Sequence, residues 1–219
     1  MITPEQIRND ESVRTYIKCA DDALAELGYT EHSFAHVSKV AHDARRILET
    51  LHYPPHECDL AEIAGYLHDI GNLINRVDHA QSGAIMAFRI LDHLDAEPYE
   101  IATVTGAIGN HDEGTAVAVN AVAAALILAD KTDVRSSRVR NQEIMSFDIH
   151  DRVNYSVKSS ELTFEEDNTV IELKLTIDTN VGSVMDYFEI FLQRMILCRK
   201  AAAKLGLAFR LRINGQQLL

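Results

Sequence analysis

The sequence lacks the features that mark membrane proteins, disulfide scaffolds and nucleic-acid-binding proteins. No apolar run approaches the roughly 18 residues that a membrane-spanning helix needs. Only three cysteines occur, far apart and without a CxxC pair, and the chain starts with a polar, acidic stretch rather than a signal peptide. We therefore expect a protein of the reducing cytoplasm, with no membrane partner.

Basic residues are also scarce, at 21 against 33 acidic ones, so the formal net charge is −12. An acidic surface repels phosphates, which argues against a nucleic-acid polymer as partner. A small phosphorylated molecule remains compatible with this charge, because a local cationic site can override the overall field.

The apolar pattern changes its period along the 219 residues. It is helical up to about residue 155, and then "TVIELKLTI" and "LAFRLRI" alternate as strands do, with "ELTF" as the other arm of a hairpin. An amphipathic helix, roughly 184–205, lies between the strands. The sequence therefore predicts a mainly α protein, with a helical domain at 1–157 and a small α+β unit (β-β-α-β) at 158–219.

Local signals predict where several helices begin. Thr30 is a candidate N-cap for the second helix, and Asp78 with Gln81 has the spacing of a capping box. Asn120 is a candidate cap for one long helix that runs through "AVAAALILADKTDVRSSRVR".

Histidine is concentrated in the first half, where nine of the ten lie at or before residue 111. Residues of metal-binding type fall on different predicted helices or helix ends, and a bundle can bring such residues into one pocket. A mixed nitrogen and oxygen set suits Mn²⁺, Fe²⁺ or Zn²⁺, and Mg²⁺ less well. The candidate ligands are His36, His68, Asp69, His79, His111 and Asp130.

Five segments that carry these residues resemble, in order, the motifs of the HD-domain superfamily of metal-dependent phosphohydrolases. They are "HVSKVAHDA", "GYLHDIGN", "DHAQSGA", "IGNHDEG" and "ILADKTDV", and they span about residues 30–140. The resemblance implies an HD-type helical bundle and a divalent metal site.

The resemblance also implies how the ligands divide. Relatives with one metal use the positions of His36, His68, Asp69 and Asp130, and relatives with two metals add two histidines, here His79 and His111. Two ions are therefore expected, with Mn²⁺ or Fe²⁺ favoured and Zn²⁺ or Mg²⁺ as alternatives. Asp69 would bridge them.

By the same resemblance, a metal-bound hydroxide would attack the phosphorus of a small phosphoester, such as a nucleotide. Asp69 is the candidate catalytic carboxylate. Lys131 and Arg76 are the candidate cations that orient the phosphate.

The chain departs from its relatives at several positions. Asn72 stands where many relatives have lysine, and the branch that cleaves cyclic dinucleotides has paired histidines where this chain has Asn110 and His111. Three-metal relatives place a carboxylate where this chain has His32. These departures argue against a third metal and against a cyclic-dinucleotide substrate.

Two other functions remain open from the sequence. Some HD relatives use the same six ligands as di-iron oxygenases, and a non-catalytic nucleotide sensor would also bind metal. The C-terminal unit could form a homodimer or cover the pocket, and the sequence does not choose between these roles.

For His32 and for a cluster of three arginines, the sequence favours solvent exposure over a role in the site. We expect His32 to be exposed, with a substrate contact or support of a metal ligand as alternatives. We also expect Arg135, Arg138 and Arg140 to form a solvated helix end rather than a phosphate clamp.

Overall fold

The structure is a computed structural model that describes residues 1–140 and 149–219. Its helices are α1 (Pro4–Asn9), α2 (Glu11–Glu26), α3 (Phe34–Thr50), α4 (Pro55–Leu67), α5 (His79–His93), α6 (Pro98–Gly109), α7 (Ala121–Lys131), α8 (Ile149–Ser156) and α9 (Val184–Lys204). Short 3-10 helices lie at Ile70–Leu73 and Ser136–Arg138. The strands are β1 (Val157–Glu165), β2 (Val170–Ile177), β3 (Ala208–Ile213) and β4 (Gln216–Gln217). The predicted fold class, mainly helical with a C-terminal β-β-α-β unit, is confirmed.

Two helices, α4 and α7, form the centre of the helical part. Residues 60–67 of α4 and 122–131 of α7 are all buried, as expected for helices that are apolar on nearly every side. The helix α3 packs closely on α4, and an added Cβ at Gly65 would lie 2.6 Å from the Ala41 Cα. No helix in the described parts of the chain is long and apolar enough to span a bilayer.

The C-terminal sheet has the strand order β1-β2-β3-β4. The strands β1 and β2 form an antiparallel hairpin, whereas β2 and β3 are parallel and are connected through α9. The helix α9 contacts both β3 and α7, so it joins the sheet to the helical part. This packing brings α9 to the edge of the site described below.

Two predicted helix starts differ in the structure. Ser33 rather than Thr30 caps α3, because the helix begins only at Phe34 and the Ser33 side chain accepts from Ala35 N. Asp78 is left-handed, with φ of 56°, and makes no side-chain cap, so the predicted capping box with Gln81 was wrong. The N-terminal helix, whose Thr3–Gln6 capping box is present, breaks at Asp10 into α1 and α2.

The long helix predicted from Asn120 was also wrong in its extent. Asn120 does cap α7, but the helix ends at Lys131. Beyond it, Arg138 donates hydrogen bonds to the carbonyls of Asp133 and Glu31, which fixes a non-helical return of the chain towards the start of α3. Residues 141–148, which the predicted helical domain 1–157 includes, lie outside the described part of the chain.

Candidate metal centre

The six candidate ligands lie together, although they come from five separate segments. His36 is in the first turn of α3, His68 and Asp69 follow α4, His79 begins α5, His111 follows α6, and Asp130 is in the last turn of α7. All six residues are buried. Packing of the bundle therefore brings the helix ends of distant segments to one point.

A first group of side chains surrounds one oxygen of Asp69. Its Oδ2 lies 3.0 Å from His68 Nε2 and 3.5 Å from His36 Nε2. Asp130 Oδ1 lies 3.5 Å from His36 Nε2 and 3.6 Å from His68 Nε2. We call His36, His68 and Asp130 the first ligand group, and each offers an atom within 4.8 Å of the other two.

A second group faces the other oxygen of the same carboxylate. Asp69 Oδ1 lies 3.5 Å from His79 Nε2, which is 3.3 Å from His111 Nε2. His79 and His111 are the second ligand group. Asp69 thus stands between the two groups and presents one oxygen to each.

The Nδ1 atom of each of the four histidines is committed to an oxygen acceptor. His36 donates to Asp133 Oδ2 (2.8 Å), His68 to Gly65 O (2.8 Å), His79 to Arg76 O (3.1 Å) and His111 to Ile108 O (2.6 Å). An oxygen acceptor requires a proton on Nδ1, so the neutral ring presents a bare lone pair on Nε2. Such outer hydrogen bonds are the usual way in which proteins orient histidine ligands.

Some of these lone pairs have no partner. In the described part of the chain, the buried Nε2 atoms of His36 and His68 accept no hydrogen bond. The Nε2 atoms of His79 and His111 lie 3.3 Å apart and two lone pairs do not bond to each other, although His79 Nε2 accepts from Arg76 Nη1. A buried polar atom without a partner is costly, and a cation shared with Asp69 or Asp130 would satisfy these atoms. The residues therefore fit divalent metal ions.

The pKa shifts in the site also support a bound cation. Burial disfavours a charged His68, but the carboxylates of Asp69 and Asp130 raise its pKa to about 10. Burial opposes ionisation of Asp69 and Asp130 too, yet neighbouring positive groups hold the pKa of both well below the usual range. Burial and the charge of Lys131 lower the pKa of His111 to about 3, so this ring stays neutral and able to bind metal. The first group attracts positive charge, and a cation can take the place of the proton.

A cavity of about 550 Å³ opens beside Asp69, His79 and Asp130. Among the described residues, four cationic side chains line it beside five carboxylates: the cations are Arg76, Lys131, Arg138 and Arg194, and the carboxylates are Asp69, Asp112, Glu113, Asp130 and Asp151. The candidate catalytic cations of the sequence, Lys131 and Arg76, thus both border the cavity. Lys131 Nζ is 2.7 Å from Asp130 Oδ2, and Arg76 Nη1 is 3.3 Å from His79 Nε2. Such a lining can hold an anion next to the ligand groups.

The wall of the cavity includes residues outside the helical part. Phe191 and Arg194 of α9 line it, and the Arg194 guanidinium lies 4.3 Å from the centre of the Phe191 ring. Arg194 Nε donates to Glu113 Oε1 at 2.6 Å. Sequence reasoning missed this contact, since the amphipathic pattern of α9 shows only which face is buried.

Three further residues differ from the sequence expectation. His32, expected to be exposed, has a side chain that is only 11% exposed, and its Nε2 is 4.0 Å from Asp69 Oδ2. Arg138, expected at a solvated helix end, is buried and lines the cavity. Asp133, which holds His36, received no role from the sequence, although it lies only three residues after Asp130. That spacing alone could have drawn attention to it.

Comparison with known proteins gives three findings. Residues 33–140 match the family model of the HD domain. An uncharacterised protein of Methanocaldococcus jannaschii is 27% identical over 205 residues, which cover 83% of this chain and 78% of the relative. A crystal structure of a predicted HD superfamily hydrolase from an uncultured Thermotogales bacterium shares 25% identity, with a TM-score of 0.44, over 62% of this chain and 75% of that one.

Proposed function

Because the chain carries an HD domain at residues 33–140, we propose that it is a metal-dependent phosphohydrolase with a two-metal site. Its substrate would be a small phosphoester, with a nucleotide as the first class to test. One observation carries the proposal: Asp69 presents its two oxygens to two separate groups of imidazole nitrogens. The first ligand group would hold one ion, the second group would hold another, and Asp69 would contact both.

Each protein group then has a definite task. Divalent cations held there would supply positive charge to a phosphoryl oxygen and make water a stronger nucleophile near neutral pH. Mn²⁺ and Fe²⁺ suit the mixed nitrogen and oxygen ligands best, with Zn²⁺ or Mg²⁺ as alternatives. Asp133 and the backbone carbonyls keep the histidine rings oriented, so that the Nε2 atoms face inward.

The cationic side chains would bind the phosphate. Arg138 is buried at the cavity wall, where its Nε and Nη1 atoms donate to backbone carbonyls and its charge interacts with the buried carboxylates of Asp69 and Asp130. Arg76 donates to His79 Nε2, and a cation on that nitrogen would repel the guanidinium towards the cavity and its anion. Lys131 is held beside Asp130 at the cavity wall. These contacts support a site for a phosphorylated ligand.

The test is a phosphoester screen with metal content measured in parallel. Purified protein loaded with Mn²⁺, Fe²⁺, Mg²⁺ or Zn²⁺ is offered p-nitrophenyl phosphate, bis-p-nitrophenyl phosphate and nucleoside mono-, di- and triphosphates. We expect release of phosphate or nitrophenol with at least one combination of metal ion and substrate, at the same rate with and without oxygen. Asp69→Asn should abolish turnover and metal binding while the helical circular dichroism is retained.

A matched pair of arginine variants tests the phosphate contacts. Arg76→Gln should raise KM about tenfold or more with unchanged metal content, because it removes a charged hydrogen-bond donor. Arg89→Gln is the control. Arg89 is an exposed residue of α5, and its replacement should leave kcat and KM unchanged.

The same screen separates the other functions. A di-iron oxygenase would turn over only with iron and oxygen, and a sensor would bind a nucleotide tightly without turnover. Absence of turnover in every combination, with metal shown to be bound, would overturn the hydrolase proposal.

A further inference from the structure

His32 stands next to the candidate metal centre but belongs to neither ligand group. It lies in the non-helical segment before α3, four residues before His36, and the centres of the two rings are 5.5 Å apart. Its side chain lines the cavity and is almost buried. The sequence alone does not reveal that this side chain is nearly buried beside the two ligand groups.

The position of the His32 ring is fixed from two sides. Its backbone N–H donates to Asp21 Oδ1 at 2.8 Å, which ties the segment to α2. Its Nδ1 donates to the Thr30 carbonyl at 2.7 Å. As in the four histidines of the ligand groups, this bond places the proton on Nδ1 and leaves a lone pair on Nε2.

The free nitrogen of His32 faces an oxygen that also cannot donate. Its Nε2 is 4.0 Å from Asp69 Oδ2, the same oxygen that lies near His36 and His68. A lone pair and a carboxylate oxygen do not attract each other directly, so a group that contacts both must lie between them, and a cation is one such group. Ligands bound about 2.1 Å from one ion stand about 3–4 Å apart, and the separations around Asp69 Oδ2 fall in this range.

We infer that His32 is an additional ligand of the cation on the Asp69 Oδ2 side, joining the first ligand group. This inference rests on the metal site proposed above. It goes beyond that proposal, because it assigns the first cation a further nitrogen ligand from outside the six. The first ion would then have five protein ligands, counting Asp69, against three on the second.

Titration of metal-stripped protein with Mn²⁺ is the direct test. His32→Asn keeps a donor near the Nδ1 position for Thr30 but has no atom at the Nε2 position, so it isolates the proposed ligand. We expect the affinity for at least one ion to fall tenfold or more. His42→Asn, on the exposed side of α3, is the matched control and should bind as the original protein does.

Co²⁺ absorption gives a second readout, which a purely structural role would not change. Loss of a nitrogen ligand should alter the visible bands of the Co²⁺ protein in His32→Ala, and added imidazole should restore them. Unchanged Mn²⁺ affinity and unchanged Co²⁺ bands in the folded variants would overturn the inference. If the original protein binds no cation at all, the proposed metal centre itself is wrong. If the original protein and the His32 variants bind cations equally well, only the role of His32 is wrong.

Discussion

At the scale of single residues, the site depends on how the two nitrogens of each imidazole are used. One nitrogen holds the ring in place and the other faces the centre. The sequence predicts that histidines are present, but it does not show which oxygen accepts from Nδ1. Asp133 is the clearest case, because its side chain is fully buried and its Oδ2 accepts from His36 Nδ1.

Replacement of Asp133 tests this supporting role. In Asp133→Asn the side chain keeps its size but loses the charge that orients His36 and strengthens it as a ligand. We expect metal affinity to fall about 10–100-fold, the usual effect of removing such a partner. The measurement is calorimetric titration with Mn²⁺ after removal of bound metal.

The control for this variant is Arg135→Gln. Arg135 donates to the same carboxylate, with its Nε 2.6 Å from Asp133 Oδ1 and its Nη2 3.0 Å from Asp133 Oδ2, but its removal leaves the acceptor of His36 Nδ1 in place. Its loss should have the smaller effect. Equal affinities for Asp133→Asn and the original protein would show that His36 needs no such support.

At the scale of helices, the site requires α3 and α4 to approach closely. Gly65 allows this approach, because a Cβ there would meet the Ala41 Cα at 2.6 Å and the Ala41 N at 2.8 Å. Gly65 also provides the carbonyl that holds the His68 ring. One residue thus sets the distance between two helices and the direction of a candidate ligand.

Two glycine variants test this packing. Gly65→Ala should lower the free energy of unfolding by about 1–3 kcal/mol, because the new methyl group meets backbone atoms that cannot turn aside. Gly106→Ala, in α6, meets nothing within 4 Å and should raise stability by about 0.4–1 kcal/mol. Urea unfolding of both variants measures the difference, and equal effects would contradict the argument from close packing.

Much of the element order follows from local signals in the sequence. Pro98 at the start of α6, the Thr3 capping box and the alternation in β2 and β3 all appear in the structure. The predictions fail where a backbone group forms a hydrogen bond with a residue that is distant in the sequence. After α7 the chain does not continue as a helix, and Arg138 donates to the Glu31 carbonyl before α3, a contact that no local propensity encodes.

At the scale of the whole molecule, the candidate site concentrates negative charge in the core of an already acidic protein. Asp69, Asp130 and Asp133 are all buried near one point. The six candidate ligands could be predicted from spacing and resemblance, whereas the wall formed by Arg194 could not, because its partner Glu113 lies 81 residues away.

Thermal unfolding tests the effect of a cation on the whole fold. A ligand at about 100 times its Kd stabilises the native state by about 2.7 kcal/mol, which for a chain of this size corresponds to a rise in Tm of about 5–10 °C. We expect this rise with Mn²⁺ and its reversal with EDTA. Asp69→Asn should show neither effect, and an equal rise in that variant would indicate binding elsewhere.

The contact between α9 and the loop after α6 has a consequence for synthesis on the ribosome. All six candidate ligands lie between residues 36 and 130, whereas Phe191 and Arg194 are translated later. Parallel pairing of β2 with β3 waits for α9 and then for the strand beyond it. In a nascent chain the six candidate ligands are therefore synthesised well before the α9 wall of the cavity, so the order of synthesis would allow a cation to bind before that wall is in place.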